Sequence, residues 1–155
     1  MFYRSIKLLA LLILVLVNYS AVSATANTVT LRDRDEIYVL ALNIYYEARG
    51  EPTEGKIAVA QVVFNRIKDG RFPTTVRGVV TQRRGNVCQF TWVCRVGLRR
   101  PPNNDDWKIS LMLSEFVYYN HQHIEDYSDG SLYFERRSGQ IRRNHNTIIN
   151  NHVFY

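Results

Sequence analysis

The chain has 155 residues, 46% hydrophobic and 22% charged, with a formal net charge of +6. No repeat or low-complexity tract is present, so a solenoid is excluded, and the two cysteines lack the C-x-x-C spacing of a redox or zinc-ribbon site. The positive charge suits anionic wall polymer, nucleic acid or lipid headgroups alike and does not choose among them.

The N-terminus reads as a processing signal. Arg4 and Lys7 precede an apolar run from Leu8 to Val17, and Val22-Ser23-Ala24 and Ala24-Thr25-Ala26 offer small-x-small cleavage sites. Residues 1–24 are expected to be a signal peptide, cut after Ala24 or Ala26. The ten-residue run falls short of the roughly 20 residues that span a bilayer. Counted on through Asn18 to Ala24, the segment can alternatively stay as an uncleaved anchor. Cleavage leaves a single domain over 32–155 with a net charge of +4, no stable membrane span, and a place in the periplasm, cell wall or medium. A domain of that length buries a core without disulfide support.

After a short leader over Thr25 to Leu31, the first helix is predicted from about Glu36 to Ala48, capped by Asp33 or Asp35. Its positions Ile37, Leu40, Ala41, Ile44, Tyr45 and Ala48 recur at three and four. Gly50 should end it in a left-handed conformation, and Pro52 cannot continue the ladder. A second helix is predicted from an N-cap at Thr53 to about Lys68, closed by Gly70. Its middle, Ile57 to Phe64, is apolar almost all round and reads as buried. Residues 71–106 read as irregular, a long loop of the kind that is often functional. A third helix follows from about Trp107 to Asn120, capped by Asp105 or Asp106. Asp129-Gly130 marks a turn before a strand at Leu132-Tyr133-Phe134, and His152 to Tyr155 reads as a last strand. Helices first and a little sheet later make an α+β domain, mostly helical.

Glu47 falls beside Leu40 at the edge of the first helix's apolar stripe, half-shielded by core yet open to a cleft. The last turn of a helix disfavours negative charge, so burial and dipole both push its pKa up, as a general acid near neutral pH requires. The bland alternative is a surface glutamate. Cys88 and Cys94, six apart, read as a loop-closing disulfide in an oxidising compartment and as two buried thiols otherwise.

The segment Tyr46-Glu47-Ala48-Arg49-Gly50-Glu51-Pro52, continued by Glu54-Gly55 and by Ile57-Ala58-Val59-Ala60-Gln61, Val63 and Asn65-Arg66, resembles the opening motif of the SleB/CwlJ family of cell-wall hydrolases. Cys88-Gln89-Phe90-Thr91-Trp92 is similar to the family's C-Q-F-S-W block, and His152-Val153-Phe154-Tyr155 to its closing H-x-F-Y. The similarity covers about residues 37–155. It implies a small, mostly helical lysozyme-like, transglycosylase-like domain with Glu47 as catalytic acid. It further implies a lytic transglycosylase acting between N-acetylmuramic acid and N-acetylglucosamine of peptidoglycan glycan strands. Such an enzyme needs no cofactor, no metal and no second carboxylate. Glu47 protonates the glycosidic oxygen, the muramic C6 hydroxyl attacks C1, and a 1,6-anhydro sugar leaves without consuming water. Where the family has an H-Y-H strand and then P-x-W, this chain has Leu132-Tyr133-Phe134-Glu135 and a basic, asparagine-rich stretch from Arg136 to Asn151.

Other site expectations rest on side-chain chemistry. Gln89 and Trp92 read as substrate contacts, since an indole stacks on a sugar ring and an amide both donates and accepts. Phe90 is a candidate contact that equally anchors the loop to the core, and Tyr133 lines the cleft or the core. Glu51 is the second carboxylate if two are used, and otherwise a structural partner of Arg49 or Arg66. Two rival functions are a zinc amidase, drawing on His121, His123, His145 and His152, and a non-catalytic basic wall-binding module. The amidase lacks a helical i, i+4 histidine pair. The binding module would use the pairs Arg83-Arg84, Arg99-Arg100, Arg136-Arg137 and Arg142-Arg143, which carry no nucleic-acid motif. The sequence carries no reading of oligomeric state.

Overall fold

The computed structural model describes residues 29–137 and 147–155. The expected signal peptide with its cleavage sites, and His145 and Arg142-Arg143, lie outside the described residues. From Leu31 onward the chain forms one compact unit. Helix α1 (Leu31–Ala48) is followed by α2 (Thr53–Asp69), the short α3 (Val76–Val80), a hairpin of β1 (Arg83–Arg84) and β2 (Val87–Cys88), α4 (Thr91–Val96) and α5 (Asp105–Asn120). A three-stranded antiparallel sheet closes the unit: β3 (Phe134–Arg136), β4 (Thr147–Ile149) and β5 (His152–Phe154), with β5 in the middle. The fold is α+β and helix-dominated, as the sequence implied. Among the described residues no helix is long and apolar enough to cross a membrane.

α1 is the central helix, packed against α5, α2 and α3. Val39, Leu40, Ala41, Leu42, Asn43 and Ile44 are all fully buried, so its middle is covered on every side rather than along one stripe. The side-chain oxygen of the buried Asn43 accepts the Trp92 indole N–H at 3.2 Å, while its Nδ2 is buried without a hydrogen-bond partner among the described residues. α2 is buried all round from Ile57 to Val63, as its composition predicts. A smaller apolar cluster joins Ala48 of α1 and Ala58, Val59 and Val62 of α2 to Phe154 of β5, which fastens the sheet to the helices. Gly55 permits this approach: a Cβ there would stand 3.1 Å from the Glu51 Cβ and 3.4 Å from Ile149 of β4.

Several boundaries differ from expectation. α1 begins at Leu31, so Asp33 lies inside its first turn, accepting the Tyr118 hydroxyl at 2.9 Å, and Asp35 pairs with the Arg77 guanidinium rather than capping. Gly50 is not left-handed, and the N-cap of α2 is Pro52, with Thr53 already helical. Gly70, at φ 80°, does close α2 in the left-handed region. The N-cap of α5 is Asn104, whose side chain accepts the Trp107 N–H at 2.9 Å, so Asp105 and Asp106 supply first-turn negative charge instead. The stretch 71–106 is not a plain loop: it contains α3, the β1–β2 hairpin and α4, each too short for periodicity to reveal. The strand expected at 132–134 begins two residues later, and β4 emerges from the asparagine-rich stretch.

The polar residues of α2 explain why the opening motif runs on past the first helix. Gln61 donates to the Glu125 carbonyl at 2.6 Å and accepts the Tyr127 N–H at 2.9 Å. Asn65 donates to the Ser128 hydroxyl at 2.9 Å and the Ser131 carbonyl at 3.2 Å, and Arg66 Nε to the Leu132 carbonyl at 2.7 Å. One helix face thus grips the whole connection leading into β3. Asp129 and Gly130 turn that connection with φ of 51° and 71°.

Candidate active site

The C-terminal turn of α1, the turn before α2, β3 and the β4–β5 hairpin surround a cleft of about 460 Å³. Its lining includes Glu47, Glu51, Phe134, Glu135, Asn151 and His152. Glu47 is half-buried at its wall. Burial raises the Glu47 pKa above the ordinary 4.5, and the cation of Arg95 on α4 only partly offsets it. A carboxyl raised in this way holds its proton further toward neutral pH.

Glu51 has the opposite environment. Burial alone would raise its pKa, but hydrogen bonds from Asn151 and Asn150 and the neighbouring His152 outweigh it and hold the carboxyl below 4.5. The Asn151 backbone N–H donates to Oε2 at 3.2 Å and its side-chain amide to Oε1 at 3.1 Å. His152 Nδ1 lies 3.9 Å from Oε2. The structural role foreseen for Glu51 is therefore filled by the β4–β5 turn, not by Arg49 or Arg66. Burial lowers the His152 pKa, so the ring is neutral near pH 7, edge-on to Phe134 at 5.3 Å. Two carboxyls of one motif, four residues apart, thus have their pKa values pushed in opposite directions.

A second cleft, of about 690 Å³, opens beyond Tyr133 and Phe134 and is lined by Arg71, Phe72, Arg83, Arg84, Gln89, Thr91 and Tyr133 among others. Thr91 accepts a hydrogen bond from Arg95 at 3.0 Å, and Arg95 is the cation that acts on Glu47, so α4 adjoins both clefts. The disulfide Cys88–Cys94 joins β2 to α4 across this edge, with Cα atoms 5.9 Å apart.

The predicted contacts divide accordingly. Gln89 is exposed and Tyr133 is 39% exposed, and both line the second cleft, not the one holding Glu47. Phe90 is buried, under the Arg66 guanidinium and beside Phe134, so its core role prevails. Trp92, expected as a substrate contact, is only 5% exposed, donates to Asn43 and stacks on Tyr46 at 4.8 Å, and lines neither cleft. It supports Tyr46, which does line the Glu47 cleft. Sequence reasoning missed Glu135, Arg95 and Asn151. Only Asn150-Asn151, a paired-asparagine turn with Asn150 at φ 47°, carried a local signal.

Of the histidines of the zinc reading that are described, His121 and His152 line different clefts. His121 stacks on Phe64 at 3.9 Å beside a different depression, far in kind from the cleft of His152. Among the described residues no three histidine, cysteine or acidic side chains group as metal ligands.

Residues 50–155 match the family model described as Cell Wall Hydrolase. The chain belongs to the cell wall hydrolase family. Two relatives show the same affinity. A spore cortex-lytic enzyme of Oceanobacillus iheyensis is 47% identical over 71 residues, which is 46% of this chain and 24% of that protein. One of Bacillus cereus is 43% identical over 78 residues, 50% of this chain and 29% of that protein. The matched part thus spans about a quarter of the length of these relatives. Among solved structures, the catalytic domain of Bacillus cereus SleB superposes with a TM-score of 0.57 at 28% identity, covering 78% of this chain and 89% of that domain. The catalytic domain of the germination-specific lytic transglycosylase SleB from Bacillus anthracis gives 0.58 at 26% identity, covering 84% and 98%. The resemblance read from three short motifs therefore holds for sequence and fold. In this cell wall hydrolase Glu47 stands three residues before the span of the family model, while Glu51, Glu135, Asn151 and His152 lie within it.

Proposed function

We propose that this cell wall hydrolase cuts peptidoglycan glycan strands between N-acetylmuramic acid and N-acetylglucosamine as a lytic transglycosylase, with Glu47 as its acid. The observation that carries this reading is the half-buried Glu47 carboxyl, raised in pKa, facing a cleft whose other buried carboxyl is held ionised by Asn151. Protonated Glu47 donates to the glycosidic oxygen as positive charge develops at C1. Once ionised, it accepts the proton of the muramic C6 hydroxyl as that oxygen closes on C1. One glutamate serves both steps, and the ionised Glu51 adds negative potential that favours the oxocarbenium-like centre. The names of the SleB relatives and neighbours support the same reaction class.

A hydrolytic outcome has one observation in its favour. Glu135 lines the same cleft from β3 and is exposed, a carboxylate open to a water in a way that Glu51 is not. We further infer export, with residues 1–24 removed, since the substrate lies outside the cytoplasmic membrane; N-terminal sequencing of protein recovered outside the cytoplasm should begin at residue 25 or 27.

The test is turbidity loss of purified sacculi. Glu47→Gln should slow it by about 10²- to 10⁴-fold while still sedimenting with the sacculi. Full activity in Glu47→Gln, or its complete loss in a folded Glu51→Gln that still binds, would overturn the assignment.

A further inference from the structure

The second cleft is not accounted for by proton transfer, and its charge is distinctive. Arg83 and Arg84 sit exposed on β1 at its rim, and neither has a carboxylate within ion-pair distance among the described residues. Arg71, on the same lining, is forked by Asp69 at 2.5 and 2.9 Å and is already neutralised. Behind the floor stands Arg66. It is 2% exposed, and its guanidinium lies 5.2–5.3 Å from the ring centres of Phe72, Phe90 and Tyr133, of which Phe72 and Tyr133 line the cleft. Its Nε is bonded to the Leu132 carbonyl, but Nη1 is buried without a hydrogen-bond partner among the described residues. Tyr133 and Tyr155 act on Arg66 electrostatically, but no carboxylate side chain pairs with it among the described residues, so its charge adds through a low-dielectric wall to that of the two exposed arginines at the rim.

We propose that this cleft binds the carboxylates of the peptide stem carried by muramic acid, making the enzyme selective for strands that keep their stems. The inference rests on the glycan-cleaving reading of the Glu47 cleft. Three observations favour a stem over a phosphate-bearing wall polymer. The volume, about 690 Å³, suits a compact ligand of a few residues rather than a long chain. The floor of Phe72 and Tyr133 is apolar and takes aliphatic stem side chains, while Gln89 offers an amide at the edge. And α4 carries both Thr91, on the lining of this cleft, and Arg95, the cation that acts on Glu47, so one short helix adjoins both sites.

The test uses the Glu47→Gln protein, so that binding is read without turnover. Affinity is measured for soluble glycan strands with intact stems and for the same strands stripped by an amidase. Stem-bearing strands should bind at least tenfold tighter. Arg83→Ala/Arg84→Ala should erase that ratio while shifting the stripped-strand affinity less than twofold, and Arg83→Glu/Arg84→Glu should invert it. Equal affinity of the parent protein for both strands would overturn the proposal. So would Arg83/Arg84-dependent binding of isolated teichoic acid with no preference for stems, which would assign the cleft to phosphate polymer. Both arms are read on strands that mass spectrometry shows to be uncut after the measurement, so they stand whether or not Glu47 proves to be the acid, which turnover of the unmutated enzyme reports separately. β1 is exposed, and an unchanged thermal midpoint of the double variants verifies their fold.

Discussion

Glu47 stands on the last turn of an 18-residue helix whose middle is wholly buried, whereas Arg83 and Arg84 stand on a two-residue strand next to a disulfide-tied turn. A proton donor needs a fixed position and a tuned pKa, and a long helix enclosed by three others supplies both. Recognition of a charged substituent needs potential and shape, which short elements supply if something holds them. Here the holding is done by Cys88–Cys94, by Arg66 among its three rings, and by the grip of Gln61 and Asn65 on the 125–131 connection. On the proposed reading catalysis is placed by the core and recognition by staples, so the two clefts should respond differently to the same insults.

Arg66→Ala gives the largest expected effect on stability. It removes the Leu132 bond and the ring contacts together and should lower unfolding free energy by about 3 kcal/mol in urea titrations. Arg66→Met, which keeps most of the packing, should lose less. Reduction of Cys88–Cys94 comes next, at about 2 kcal/mol for so short a loop. It should loosen the arginine cleft while moving the pH–rate profile of Glu47 no further than loss of the neighbouring Arg95 charge does, and a larger shift would break the separation drawn between the clefts.

The two glutamates sharpen the comparison from inside one cleft. Glu51 has a lowered folded pKa, so its stabilisation is present above the ordinary carboxylate pKa and lost as pH falls through the lowered value. Glu51→Gln should therefore lower stability at pH 7 by about 1–2 kcal/mol, with the difference shrinking in acid. Glu47 has a raised folded pKa, so its contribution is present below 4.5 and lost as pH rises through the raised value. Glu47→Gln should raise stability at pH 7 by about 1 kcal/mol and change it little at pH 4, as thermal melts at the two pH values would report. The smallest effect belongs to Arg95→Ala. Removing that cation should move the alkaline limb of the pH–rate profile upward by a few tenths of a pH unit at the order-of-magnitude level expected for an exposed charge; a downward shift would contradict the electrostatics described here.

Much of this was legible in the residues because long elements announce themselves. The all-apolar run of α2, the left-handed Gly70, the helix ending at Asn120 and the cysteine pair were each readable from local chemistry. Glu47 was marked as a candidate by its place at the edge of a helical stripe, and the resemblance of its surroundings to the family's opening motif is what singled it out as the acid. What was hidden shares one physical cause: it depends on contacts between segments distant in sequence. Nothing near Trp92 tells that Asn43 and Tyr46 enclose it, and nothing near Glu51 tells that a turn 100 residues on will bind its carboxylate. The elements α3, β1, β2 and α4 are too short for periodicity, and β4 was masked by a composition that reads as loop. The arginine pairs looked alike in sequence, and among the described ones the buried Arg66 behind the cleft sets Arg83-Arg84 apart.

The central claim is that one raised glutamate breaks the glycan strand without water. Mass spectrometry of the soluble products from purified peptidoglycan, with Glu47→Gln in parallel, tests it most directly. Anhydro-muropeptides from the unmutated protein and none from Glu47→Gln are the predicted result. Reducing-end muropeptides would contradict the single-glutamate mechanism and point to Glu135, and free stem peptides would contradict glycan cleavage altogether.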